Sequence, residues 1–219
     1  MDRKKKILYL ILGNILIGIG IGFCRLAAMG VDPYACQNLS LSLMFQDMGL
    51  RFMTFGTCQL IMNIIIFAVV ILTMRFKYIG AGTVINMVCV GYIADFVCFL
   101  YGKIGISSGI VIRIILLAAG IIVLTLGVAM YMLADMGLAP YDTIAYIIMK
   151  YTKDKVSFRV GRILTDLTAV IVGVVVCIVC GRSILAVLGI GTIVSVLFNG
   201  PLIQWFIGLL SGRKNGEGK

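Results

Sequence analysis

Apolar residues run along the chain in six stretches of roughly twenty, at about 7–28, 53–74, 79–100, 111–133, 161–181 and 184–208, separated by short polar breaks. A helix rises about 1.5 Å per residue, so each stretch matches the ~30 Å of hydrocarbon in a bilayer. The pattern predicts an all-α integral membrane protein with six transmembrane helices. Residues 1–219 form a single membrane domain, with 211–219 a polar cytoplasmic tail. An even number of spans puts both ends of the chain on the same side.

Small and polar residues recur along these stretches with a second regularity. Setting residue i against i+107 superimposes Gly13 on Gly120, Gly20 on Gly127, Leu26 on Leu133, Ala27 on Ala134, Met29 on Met136, Gly30 on Gly137, Pro33 on Pro140 and Tyr34 on Tyr141. An offset of 109 matches Gly80, Gly82, Thr83 and Gly91 to Gly189, Gly191, Thr192 and Gly200, and an offset of 105 matches Gly56 to Gly161. Shared hydrophobicity alone would not align glycines and a Pro-Tyr pair, so the chain reads as a duplication with repeats at 7–104 and 111–210. Each repeat holds three spans, an odd number, so the second enters the membrane from the opposite side. The expectation is two inverted three-helix repeats.

The loops after the first span of each repeat read MGVDPYACQNLSLSLMFQ and MGLAPYDTIAYIIMKY. Glycine lets the chain leave a helix in the left-handed conformation, and proline suits the first position of a new one. Asp32 stands where it would cap, and Asp142 falls in the first turn. Short helices are expected at about 33–45 and 140–151, too short to span, hence re-entrant or interfacial. If re-entrant, their N-termini bring positive dipole ends toward the middle of the protein, where they suit a small polar or anionic solute.

Composition sharpens this picture. The chain is 61% hydrophobic with 26 glycines and only 13% charged residues, and its net charge is +10. Sorted into alternating loops, the basic residues divide fourteen to five, with Arg3 to Lys6, Arg75, Lys77, Lys150, Lys153, Lys155, Arg159, Arg162, Arg213, Lys214 and Lys219 on the richer side. Cytoplasmic loops collect Lys and Arg, so the charge points to a plasma-membrane protein with both termini cytoplasmic and argues against nucleic-acid binding. The basic start of the first span resembles a signal peptide, but its length, its glycines and the lack of a small-residue cleavage site point to a retained helix. The sequence has no histidine, which removes histidine-based acid/base and metal chemistry. Most of the seven cysteines lie in apolar runs; Cys177 and Cys180 read as packing residues, since nothing nearby would lower a thiol pKa.

The duplicated loop, the Arg162/Asp166 start of the fifth span, and Gly189–Thr192 with Gly200 and Pro201 in the sixth resemble the YczE/YyaS/YitT group of bacterial multi-pass membrane proteins, closest to its YczE-like branch. The resemblance covers nearly the whole chain. It implies the topology and no established substrate. Ala35 stands where the loop's acidic residue is expected, with Asp32 three positions earlier, so the two copies need not do the same job.

Polar groups inside spans are costly unless they pair or line a cavity. Arg162 and Asp166 are spaced to share one helix face, as are Gln59 and Asn63. Asn14, Asn86, Asn199 and Gln204 read as helix–helix hydrogen bonders, and Asp95, near a span end, as structural. Gly18 and Gly22 allow another helix to approach closely.

The candidate solute-binding set is therefore Asp32, Pro33, Tyr34, Gln59, Asn63, Pro140, Tyr141, Asp142, Arg162 and Asp166, with Gly30, Gly82, Gly137 and Gly191 as structural glycines. No nucleophile–base pair or metal cluster is legible, so no enzyme activity, cofactor or metal is expected. The leading expectation is a small secondary transporter or permease with its site between the repeats. The alternatives are a substrate-binding membrane subunit of a larger transport complex, or a non-transport protein supporting assembly or regulation of a partner. Beyond the lipid bilayer and an unknown solute, a homodimer or a membrane-protein partner is compatible with a chain of this size.

Overall fold

The computed structural model describes residues 2–74, 78–105 and 109–211. Among them are eight α-helices: α1 (Arg3–Ala27), α2 (Pro33–Asp47), α3 (Phe55–Met74), α4 (Ala81–Ile104), α5 (Ile110–Ala134), α6 (Pro140–Tyr151), α7 (Phe158–Val179) and α8 (Ile190–Ser211). All but α2 and α6 are long and apolar enough to cross a membrane. The expected spans and both short helices are present. Arg75 and Lys77 lie outside the described residues, as do 212–219, which hold nearly all of the expected tail.

Local chemistry sets the boundaries. Asp2 caps α1, Ser157 caps α7, and Asp32 caps α2 through a 3.2 Å bond from the Ala35 N–H; Pro33 and Pro140 occupy the first turns of the short helices, where no amide donor is lost. The sixth span starts later than the apolar run at 184–208 suggests. Ile184–Ala186 forms a single 3-10 turn, and Gly189 instead packs its backbone on Met29. The left-handed exit from α1 and α5 also falls earlier than Gly30 and Gly137: Ala28 (φ 48°) and Asp135 (φ 50°) already adopt it, and the glycines follow at φ 98° and 110°. These glycines answer a second need. A Cβ on Gly30 would stand 2.7 Å from the Thr192 hydroxyl, and one on Gly137 2.7 Å from that of Thr83.

α1 and α5 form the central pair. Gly13 meets Gly127 and Tyr131, Gly20 meets Leu124, and Cys24 meets Gly120, so contacts fall along α5 as they rise along α1 and the helices are antiparallel. The Gly13/Gly127 contact and the Gly20/Gly120 contact exchange under the 107-residue offset. At the ends, Arg113 donates to the Ala27 and Ala28 carbonyls at 2.7 and 2.5 Å, while Lys6, its counterpart, reaches Asp135 at 3.8 Å. Gly18 and Gly22 face Ile93 and Val97 of α4, leaving Gly20 for α5. The glycines of α1 thus serve two different neighbours.

Each loop ahead of a short helix is held by the other half of the chain. The Gly82 N–H donates to the Met136 carbonyl at 2.8 Å, and Gly191 donates to Met29 at 2.7 Å. Leu138 and Val31 add bonds to the Tyr78 and Val187 carbonyls at 2.9 and 3.4 Å.

α2 runs antiparallel to α3, with contacts at Tyr34/Asn63 and Gln46/Met53, and parallel to α7, with contacts at Cys36/Gly173, Ser40/Cys177 and Asp47/Arg182. α6 runs antiparallel to α7 and ends with Lys150 donating to the Thr73 carbonyl at the end of α3. The two short helices therefore lie between α3 and α7 and meet head to head. At 15 and 12 residues, neither would cross the hydrocarbon alone. Their first turns sit level with the midpoints of α3 and α7.

Candidate functional site

The head-to-head meeting is made by two tyrosines. The rings of Tyr34 and Tyr141 stack with centroids 4.1 Å apart and planes inclined by 18°. Each phenol then bonds into the neighbouring long helix: Tyr34 donates to Asn63 Oδ1 and Tyr141 to Asp166 Oδ1, both at 2.8 Å. Proline at the first helical position puts both tyrosines in the opening turn, so the duplicated Pro-Tyr motif positions the stack directly.

Charged groups gather beside Tyr141. Arg162 pairs with Asp166 at 3.3 Å, as their spacing predicts, and also bonds to Asp142 in the first turn of α6. Its guanidinium lies over the Tyr141 ring, 4.9 Å from the centroid. Asp32, at the cap of α2, is close enough to feel both Arg162 and Asp166, and among the described residues it forms no ion pair. Each short helix thus carries a carboxylate at or just inside its N-terminus, where the helix dipole favours negative charge.

Seven of the ten candidate residues meet here, namely Asp32, Tyr34, Asn63, Tyr141, Asp142, Arg162 and Asp166, with Pro33 and Pro140 starting the helices behind them. Gln59 turns elsewhere: it packs against Gly91 of α4 and makes no hydrogen bond to Asn63. Gly30, Gly82, Gly137 and Gly191 bring the loops and helix starts into backbone contact.

Some polar atoms around the site remain unpaired. Asn63 Nδ2, Asn38 Oδ1 and the Tyr131 hydroxyl are buried without a partner, in residues 1%, 0% and 2% exposed. Asn38 lies one turn after Tyr34 and donates to its carbonyl at 2.9 Å, and Tyr131 lies near Asp142. Asn38 and Tyr131 carry no signal in the sequence beyond being polar groups in apolar surroundings. Asn14 and Asn86 do bond across helices, at 2.8 Å.

A second ion pair was hidden by its position. Arg25 counts as a loop cation when charges are sorted by span, yet it lies in the last turn of α1 and bonds Asp95 of α4 at 2.7 Å. The other Asp95 oxygen accepts the Gly56 N–H at 2.7 Å, and Arg25 also lies over the Phe55 ring, 4.3 Å from its centroid. Asp95 is structural as expected, joining α1, α3 and α4. At the end of α7, Arg182 grips Asp47 with two bonds of 2.6 Å, which holds the Asp47 carboxyl below its ordinary range and raises the guanidinium. All seven cysteines are free thiols.

The site's geometry can be set against known proteins. The chain is 26% identical over 195 residues to the uncharacterized membrane protein YczE of Bacillus subtilis (strain 168), covering 88% of this chain and 81% of that one. No solved structure matches it. The resemblance to the YczE-like branch therefore stands, and the protein is a multi-pass membrane protein. It matches the family of unknown function DUF6198 across residues 4–208, and the chain belongs to that family.

Proposed function

We propose that the protein is a small secondary transporter or permease, with a site for a small polar solute between two inverted three-helix repeats at 7–104 and 111–210. The observation that carries this reading is the Tyr34–Tyr141 stack, which joins the first turns of two broken helices between α3 and α7 beside the Asp142–Arg162–Asp166 cluster. Broken helices and ionisable groups in a membrane interior are tolerated where they serve a solute or ion path. The antiparallel α1–α5 pair and its exchanged glycine contacts support the inversion. The basic-residue bias supports a plasma-membrane setting with both termini cytoplasmic. This role needs no enzyme chemistry.

The test is uptake by the purified protein in liposomes, with and without a proton gradient. Solute uptake that falls when Asp142→Asn or Asp166→Asn is introduced supports the proposal. A protein that binds solute but never moves it unless a second complex is added is instead a binding subunit. Orientation is tested by labelling Met48→Cys and Lys155→Cys with an impermeant thiol reagent. Outside reagent should reach position 48 and not 155; the reverse pattern would overturn the cytoplasmic placement of the termini, and labelling of both positions from one side would overturn the inversion.

A further inference from the structure

We infer that the cluster beside the tyrosine stack takes a monovalent organic cation bearing N–H donors, an ammonium or guanidinium type of solute, rather than an anion. This rests on reading the cluster as the solute site, and it gives that site a sign.

The charge count is the first argument. Asp142 and Asp166 both pair with a single guanidinium, Arg162, and Asp32 stands at the cap of α2, two residues before the stacked Tyr34. With the carboxyls ionised, three negative charges meet one positive, and two remain uncompensated inside a membrane protein, where unpaired charge is costly. Re-entrant helix N-termini by themselves would favour an anion. Here that capacity is already used, because Asp32 accepts the Ala35 N–H and Asp142 lies in the first turn of α6.

The second argument comes from a buried polar atom that lacks a partner. Asn38 is fully buried, and its Oδ1, an acceptor, is unsatisfied one turn from Tyr34. A buried polar group without a partner is costly, and an N–H-donating ligand would satisfy the Asn38 oxygen.

The third argument is the resident cation. Arg162 sits over the Tyr141 ring while bonded to two carboxylates, so the site already accommodates a delocalised organic cation on an aromatic face. A metal ion fits less well. Hard cations take six or more convergent oxygens, and among the described residues no three of His, Cys, Asp or Glu stand close enough to hold one.

The experiment measures thermal unfolding of the purified full-length protein in detergent, titrated at constant ionic strength with ethylammonium chloride, potassium chloride or sodium propionate. Ethylammonium should raise the unfolding temperature saturably, and the other two salts should not. Asp32→Asn should weaken the midpoint by about tenfold or more, the scale of one charge-assisted contact; asparagine caps a helix as well as aspartate, so α2 keeps its start. Asp135→Asn, which changes an exposed carboxylate at the end of α5, should leave the midpoint unchanged. Stabilisation by propionate, equal stabilisation by potassium, no response to any of the three salts, or an unaltered midpoint in Asp32→Asn would each overturn the inference. Binding is read here without transport, so a cation that stabilises the protein but is never taken up by liposomes overturns the transporter reading alone. Uptake of an anion overturns this inference alone.

Discussion

Tyr34 and Tyr141 occupy equivalent places in the two halves of the chain and stack on each other at 4.1 Å, so the short helix of each half begins against that of the other. The phenols point apart, one to an amide on α3 and the other to a carboxylate on α7. The two Pro-Tyr loops therefore share the geometry of the meeting and differ in its chemistry. One arm ends in a neutral hydrogen bond, and the other ends in a network containing three charges.

The stack should contribute stability of its own. Aromatic pairs are worth about 0.5–1.5 kcal/mol beyond the area they bury. A double-mutant cycle of Tyr34→Leu and Tyr141→Leu, followed by unfolding in detergent, should return a coupling energy in that range. Effects that add to within about 0.3 kcal/mol would mean that the rings merely touch.

Breaking the Arg25–Asp95 pair from one side should be severe. Asp95 satisfies both a guanidinium and the Gly56 N–H while only 21% of its side chain is exposed. Asp95→Ala strands a largely buried charge, which costs about 3–5 kcal/mol. The double variant Arg25→Met with Asp95→Ala removes the stranded charge and should be less destabilised than the sum of the single variants by more than about 1 kcal/mol. A double variant as unstable as that sum would show that the pair contributes nothing as a pair.

Spans and close helix crossings were legible because both depend on what one position contributes by itself. An apolar run of twenty residues needs a bilayer whatever its neighbours do, and a glycine at a helix crossing is recorded at its own position. Pro33 and Pro140 likewise announced their helices. The site was legible only in part, because its contacts depend on how the halves cross. Arg162 with Asp166 could be read from a four-residue spacing, whereas Arg162 with Asp142 and Tyr34 with Asn63 join different helices. Arg25 escaped because sorting charges by span treats any cation near a helix end as loop. The start of α8 was misplaced because 184–188 are apolar enough to be helix, while the backbone of Gly189 is committed to the loop at Met29.

Acid should release the end of α2. Arg182 holds the Asp47 carboxyl below its ordinary value of 3.8. A carboxylate with a lowered native pKa contributes stability above its ordinary value and loses it as pH falls through the native one. The stability difference between the native protein and Asp47→Asn should therefore persist from neutral pH down to about 4 and shrink as pH falls further. The pair is open to solvent, so added salt should shrink the same difference at neutral pH. A difference that stays constant as pH falls below about 4 would point to packing by Asp47 rather than to its charge.

The α1–α5 crossing should tolerate no side chain at its centre. A Cβ on Gly127 would stand 2.7 Å from both the Gly13 carbonyl oxygen and the Ile17 nitrogen, and one on Gly13 would stand 2.8 Å from the Gly127 oxygen. The obstacle is backbone on each side, so neither helix can yield by turning a rotamer. Overpacking of this kind costs about 1–3 kcal/mol even where side chains can adjust, and Gly127→Val should exceed that range, with loss of monodisperse protein on extraction. Gly102 in α4 has nothing within 4 Å of its Cβ position, and Gly102→Ala should be neutral or stabilising by up to about 1 kcal/mol, since glycine is a poor helix former. Comparing the two variants by size-exclusion profile and unfolding temperature separates the crossing from glycine content in general. Equal tolerance at both positions would mean that α1 and α5 do not approach to backbone contact in the membrane.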